Sequence, residues 1–242
     1  MNMNLKELPP DWGTDEITKY LDQARSNAYA TFHNMKPEYQ RLVGIDSTFR
    51  KLVENLYNTK DWLAALFLLR SHSHYLVGIS CAMSGQLPES YAALRVALEQ
   101  ALYGFYISKN PETQEIWLRR HDSEESKKKV RSEFQIRKIM DALHSTDNRE
   151  ADVAEMLYER TIDYGAHPNE YALMQTLQMK NDSGIVSFDV SYISGDGPAL
   201  SLCLKTVAQV GVCILGVFRL VYSVRFDLIG LNQNLEELRH GL

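Results

Sequence analysis

Two helix-length apolar stretches lie almost back to back in the middle of the chain. The first, WLAALFLLRSHSHYLVGISCAM, runs from Trp62 to Met83, and the second, ESYAALRVALEQALYGFYI, from Glu89 to Ile107. The opening turns of the first are apolar all round, and the second is almost wholly apolar apart from Arg95, Glu99 and Gln100. A helix with no polar stripe belongs in an interior. Gly85 suits a helix C-terminus and Pro88 the first turn of the next helix, so a link this short makes the two helices antiparallel neighbours. The remaining elements have to cover that pair.

The rest of the chain supplies them. Thr14 with Asp15 and Glu16 reads as a helix N-terminus, and Ile17, Leu21, Ala24 and Ala28 form one stripe of a helix reaching about Phe32. Pro37 opens a second helix carrying Leu42, Ile45, Phe49, Leu52, Val53 and Leu56, and Asp61 caps the third. A shorter helix starts at Pro111, another runs from Ser123 to about His144, and a further one from about Asn148 to Ala166. Val186, Phe188, Val190 and Tyr192 alternate with polar residues in the GIVSFDVSYI segment, which predicts a strand pairing with Thr176–Lys180 across Asn181–Gly184. A lone hairpin is marginal by itself, so it is expected to pack on the helices or on another chain. The expected fold is mainly α: an up-down helical bundle with long helices and a small β-hairpin appendage. It comprises a flexible arm (1–13) and a single helical domain (14–242), with the hairpin at 176–193 and a long C-terminal helix at 198–240 that bends near Gly230.

Apolar residues make up 45% of the chain, which suits a folded globular protein, and the net charge of −5 excludes a surface that is basic throughout. Cys81, Cys203 and Cys213 sit among apolar neighbours and read as reduced, buried thiols. The opening MNMNLKELPPDW lacks the pattern of a signal peptide. Thr206–Phe218 is the most apolar run, but thirteen residues between Lys205 and Arg219 fall short of the roughly 20 that a bilayer needs. A cytoplasmic protein without a membrane segment is expected.

Four constellations could carry chemistry. On an unbroken helix, Arg160 and His167 lie seven residues apart on one face, with Asp163 four residues before the histidine, where its carboxylate could orient the ring. An arginine fork beside a proton-moving imidazole is what metal-independent RNA cleavage requires. Arg95 and Glu99, at i and i+4 among apolar residues, form either an internal ion pair or the wall of a polar pocket between the third and fourth helices, with Tyr91, Tyr103 and Tyr106 as further hydroxyls. Arg70 and His74 share a third face, whereas His72 and His74 point about 200° apart and cannot chelate one metal together. No CxxC, HExxH or nucleotide-binding glycine loop is present, so neither a metal nor a cofactor is expected. Last, Arg119–Lys138 holds eight basic and four acidic residues, and Lys127, Lys128 and Arg131 are where an RNA backbone would land.

The R-x6-H pattern of Arg160 and His167, late in a series of long helices, resembles the HEPN superfamily, many of whose members are ribonucleases in bacterial toxin and antiphage systems. The LRVALEQALYGFYI segment with Arg95 and Glu99, together with the His167-Pro168 step, is similar to other bacterial all-helical families distantly related to it. The likeness covers roughly residues 61–170. Thr161 stands where those ribonucleases usually carry Asn, Asp or His after the arginine. The resemblance implies a homodimer with Arg160 and His167 lining a cleft between subunits, and RNA as the substrate. A non-catalytic binding or assembly module, and a small-molecule pocket around Arg95 and Glu99, are the alternatives.

Overall fold

The computed structural model describes residues 8–168, 170, 177–182 and 185–242, and within them the chain is mainly α-helical. Helices α1 (Glu16–Asn34), α2 (Lys36–Glu54), α3 (Trp62–Met83) and α4 (Leu87–Lys109) come first. The shorter α5 (Pro111–Leu118), α6 (Glu124–Glu133), α7 (Ile136–His144) and α8 (Asn148–Thr161) follow. After a π-turn at Ile162–Ala166 and the strands β1 (Leu177–Asp182) and β2 (Ile185–Val190), the chain closes with α9 (Pro198–Val221), α10 (Ser223–Leu228) and α11 (Leu231–Arg239).

The α3–α4 pair is the most extensive packing in the molecule. Two buried hydroxyls tie it together: Ser71 Oγ donates to the Ala97 carbonyl at 2.7 Å and Ser90 Oγ to that of Gly78 at 2.9 Å. Between the helices Gly85 adopts φ +78°, and a Cβ there would meet the Ser194 carbonyl. That carbonyl belongs to the loop after β2, whose Ser194 N–H donates to the Gly85 carbonyl at 2.8 Å. Only glycine combines this left-handed end with so close an approach.

Against the pair lies α9, which also touches α2, α8 and α11. It starts at Pro198 as expected but spans 24 residues instead of running to 240, and it is the one described helix long and apolar enough to cross a bilayer. Most of its apolar window, 78%, is buried against other helices. The flanking charges do not end it: Lys205 is exposed, and Arg219 reaches Asp147 and Glu150. Two glycines let neighbours come close. At Gly211 a Cβ would stand 2.6 Å from the buried Tyr75 ring and 2.7 Å from Ile45, and at Gly216 it would meet the Glu150 carboxylate.

Several boundaries differ from the sequence reading, each for a local reason. Asp15, not Thr14, caps α1, accepting from the Thr18 N–H at 2.9 Å; of the expected arm, residues 1–7 lie outside the described residues, and Pro9–Thr14 forms hydrogen-bonded turns. The expected helix from Ser123 to His144 breaks at Phe134 and Gln135. Phe134 turns inward to an aromatic cluster with Trp117, Tyr103 and Tyr106, and its freed carbonyl accepts from the Tyr103 hydroxyl at 3.0 Å. The C-terminal helix is interrupted twice, at Tyr222, whose hydroxyl is held by the Asp61 carbonyl, and at the left-handed Gly230.

Strands β1 and β2 pair antiparallel, with Asn181 opposite Val186 and Asp182 opposite Ile185, so these two residues extend the ladder instead of forming its loop. Thr176, Ser183 and Gly184 lie outside the described residues. The alternating apolar row is not covered by the helices: Val186, Phe188, Val190 and Tyr192 are all exposed.

Candidate functional site

Helix α8 starts at Asp147, whose carboxylate caps the Glu150 N–H at 3.1 Å, and regular α geometry stops at Thr161. In the π-turn that follows, Gly165 leaves helical geometry and sits so close to α4 that a Cβ would be 2.3 Å from the Pro88 carbonyl. His167 is extended (φ −134°, ψ 148°), as a residue before proline should be, and exposed. The helical spacing that was to bring Arg160, Asp163 and His167 onto one face therefore ends between the arginine and the other two. Asp163 is exposed within the turn. Arg160 turns toward α9, where Nη1 donates to Gln209 Oε1 at 2.6 Å and to Thr206 Oγ1 at 3.4 Å, and Nη2 lies 3.2 Å from the Met156 sulfur.

Arg95 and Glu99 do form an ion pair, with Nε to Oε1 at 3.0 Å. Of the two alternatives the internal ion pair is present, and a residue of α8 joins it. Tyr158 closes a triangle, accepting from Arg95 Nη2 at 2.8 Å and donating to Glu99 Oε1 at 3.1 Å. The guanidinium also stacks 4.8 Å from its ring centre. Burial, then the Glu99 charge, push the Tyr158 hydroxyl pKa upward, so it remains a neutral hydrogen-bonding bridge. The tyrosines named from sequence go elsewhere. Tyr91 packs on Tyr164, Tyr103 donates to Phe134, and Tyr106 donates to Glu133 at 2.7 Å.

Arg70 is exposed and His74 partly so, the His74 ring bonding through Nδ1 to the Arg70 carbonyl at 2.9 Å. The buried histidine is His72, held by Asp46 at 2.7 Å and stacked on Phe49. Burial works against the Asp46 charge, but Arg50 and His72 outweigh it and hold the carboxyl below its ordinary pKa. Among the described residues no group of three His, Cys, Asp or Glu is placed to hold a metal.

On α6, Lys127 pairs with Glu124 at 2.6 Å, while Lys128 and Arg131 are exposed. Glu133 pairs with Lys138 at 3.3 Å. The Tyr106 hydroxyl, then Lys138, hold the Glu133 carboxyl below its ordinary pKa.

Sequence reading missed the most buried carboxylate among the described residues. Glu150 is 3% exposed and takes Arg239 of α11 in a very short contact and Arg219 of α9 at 3.4 Å, while Asp147 accepts from Arg219 at 3.3 Å. The signal was present in Asp147 and Glu150, which stand at capping-box spacing. What no local pattern could show is that two arginines from the far end of the chain converge there.

Beside this network runs a cleft of ≈ 210 Å³ between α8, α9 and α11, lined by Arg149, Glu150, Val153, Met156, Gln209, Val212, Cys213, Arg239 and Leu242. Cys213 at its base is fully buried, and burial pushes its thiol pKa well above the ordinary range. It is therefore a neutral wall and not a nucleophile. No protein-family model, curated protein or solved structure matches the chain.

Proposed function

We propose that this protein is a non-catalytic helical assembly module: a cytoplasmic up-down bundle, one domain over residues 14–242 with a β-hairpin appendage, that pairs with a second copy through α3. The observation carrying this reading is an uncovered apolar stripe. Trp62, Leu66, Leu69, Leu76 and Val77 are 37–49% exposed on a helix whose opposite side is buried. With the small Ser73 included, positions 62, 66, 69, 73, 76 and 80 follow the alternating four-and-three spacing by which two helices interlock side chains. The stripe is symmetric about position 71, so in an antiparallel pair Leu66 of one copy lies over Leu76 of the other, Leu69 over Ser73 and Trp62 over Ser80, as a two-fold contact requires. Helix α1, which packs on α3, adds exposed Ile17, Leu21, Tyr29 and Phe32. Apolar surface gathered this way marks an interaction face.

Light scattering on the eluting protein should give twice the 27.7 kDa of one chain. Leu66→Glu with Leu69→Glu should return it to the single-chain mass with its helical circular dichroism intact. A wild-type monomer at tens of micromolar would end the proposal.

The HEPN-like ribonuclease is a second reading, favoured by exposed His167 and by the exposed cations Lys128 and Arg131. Arg160 would stabilise the charge developing on phosphate, His167 would move the proton and Asp163 would orient it. Incubation with RNA in EDTA should then show cleavage that His167→Ala reduces by at least a hundredfold. Equal activity in both proteins, or none in either, removes this reading.

A further inference from the structure

The cleft between α8, α9 and α11 lies apart from the exposed α3 residues on which the assembly reading rests. Its long walls come from one face of α8 and one of α9, running antiparallel. Arg160 beside Met156 meets Gln209, and seven or more residues along, Asp147 and Glu150 meet Arg219. Arg149, Val153 and Met156 succeed each other on the α8 side, so Arg149 and Met156 mark ends separated by about 10 Å along the helix axis. Val153 and Val212 make the middle apolar.

The two ends are polar, and both favour an anion. At one end, Arg239 is fixed by Glu150 and Glu236, whereas Arg149 is exposed and forms no ion pair among the described residues. It is the lining cation whose fork is open to a carboxylate. At the other end, the Gln209 carbonyl oxygen already accepts from Arg160, which orients the amide and leaves its NH2 group to donate. The arginine behind it adds positive charge, while the acidic side chain in the lining, Glu150, is covered by arginines. The volume of ≈ 210 Å³ suits a small molecule, below the roughly 300 Å³ at which drug-sized sites begin.

We infer that this cleft binds a short, linear dicarboxylate, with one carboxylate on Arg149, the methylene chain between Val153 and Val212, and the second carboxylate at Gln209 beside Arg160. Suberate is the probe, with octanoate as a one-headed control and inorganic phosphate as a headgroup control. Titration calorimetry on the full chain should show suberate binding at least tenfold more tightly than octanoate, and no phosphate binding. Arg149→Gln, on an exposed side chain that forms no ion pair among the described residues, should weaken suberate at least tenfold. Gln209→Leu should weaken suberate toward octanoate and leave octanoate unchanged. Absence of suberate binding overturns the inference, as does equal affinity for octanoate, which would make the Gln209 end idle. Binding unaltered by Arg149→Gln would place the ligand elsewhere and overturn it equally.

Discussion

Replacing Glu150 with alanine is expected to destabilise the fold by about 3–5 kcal/mol, the range for breaking a buried ion pair by removing one partner. The carboxylate is 3% exposed and is shared by Arg239 and Arg219, so its loss leaves two guanidiniums facing each other with only Asp147 and Glu236 as remaining partners. The effect also has a definite location. Arg239 ends α11, whose Leu231 and Leu235 are fully buried, and Glu150 is the link from that helix to α8. Urea unfolding should therefore show a lower midpoint, and amide exchange should rise first along α11. Glu150→Gln keeps the volume and one acceptor, so it should cost less than the alanine. A loss below about 1 kcal/mol for Glu150→Ala would mean that the carboxylate behaves as a surface charge.

Gly211→Val should cost about 3 kcal/mol, at the upper end of what inserted methyl groups do to a filled core. The first added carbon already falls 2.6 Å from the Tyr75 ring, and neither Tyr75 nor Ile45 has exposed surface into which to retreat. A companion Tyr75→Leu change, which trims the ring, should recover part of the loss because the two sites touch. If thermal unfolding of Gly211→Val matches wild type, then α3 and α9 do not approach as closely as described.

The helical content was legible because its signals are local. Pro37, Pro88, Pro111 and Pro198 all sit in first turns, and of the apolar residues named on α2, Leu42, Ile45, Phe49 and Leu52 prove buried. The breaks were harder to read because tertiary contacts impose them. The turn at Phe134 exists because an aromatic cluster takes its ring and the Tyr103 hydroxyl takes its carbonyl. The site reading assumed that α-helical spacing continues from Arg160 to His167. It fails at Gly165, where close contact with Pro88 displaces the chain. Arg95 and Glu99 were recognisable as a pair four residues apart, but Tyr158, 63 residues from Arg95, carries no sequence mark of its role. The same holds for Arg239 and Glu150, separated by 89 residues.

The strand ladder and the outward side of α3 are two unrelated sticky surfaces on one molecule. The pairing proposed through α3 makes no use of the ladder, whose Phe188 is exposed, as is Tyr192 just after it. Strand edges zip onto other strand edges, so pairs of that kind would have a second way to join, and could be strung end to end.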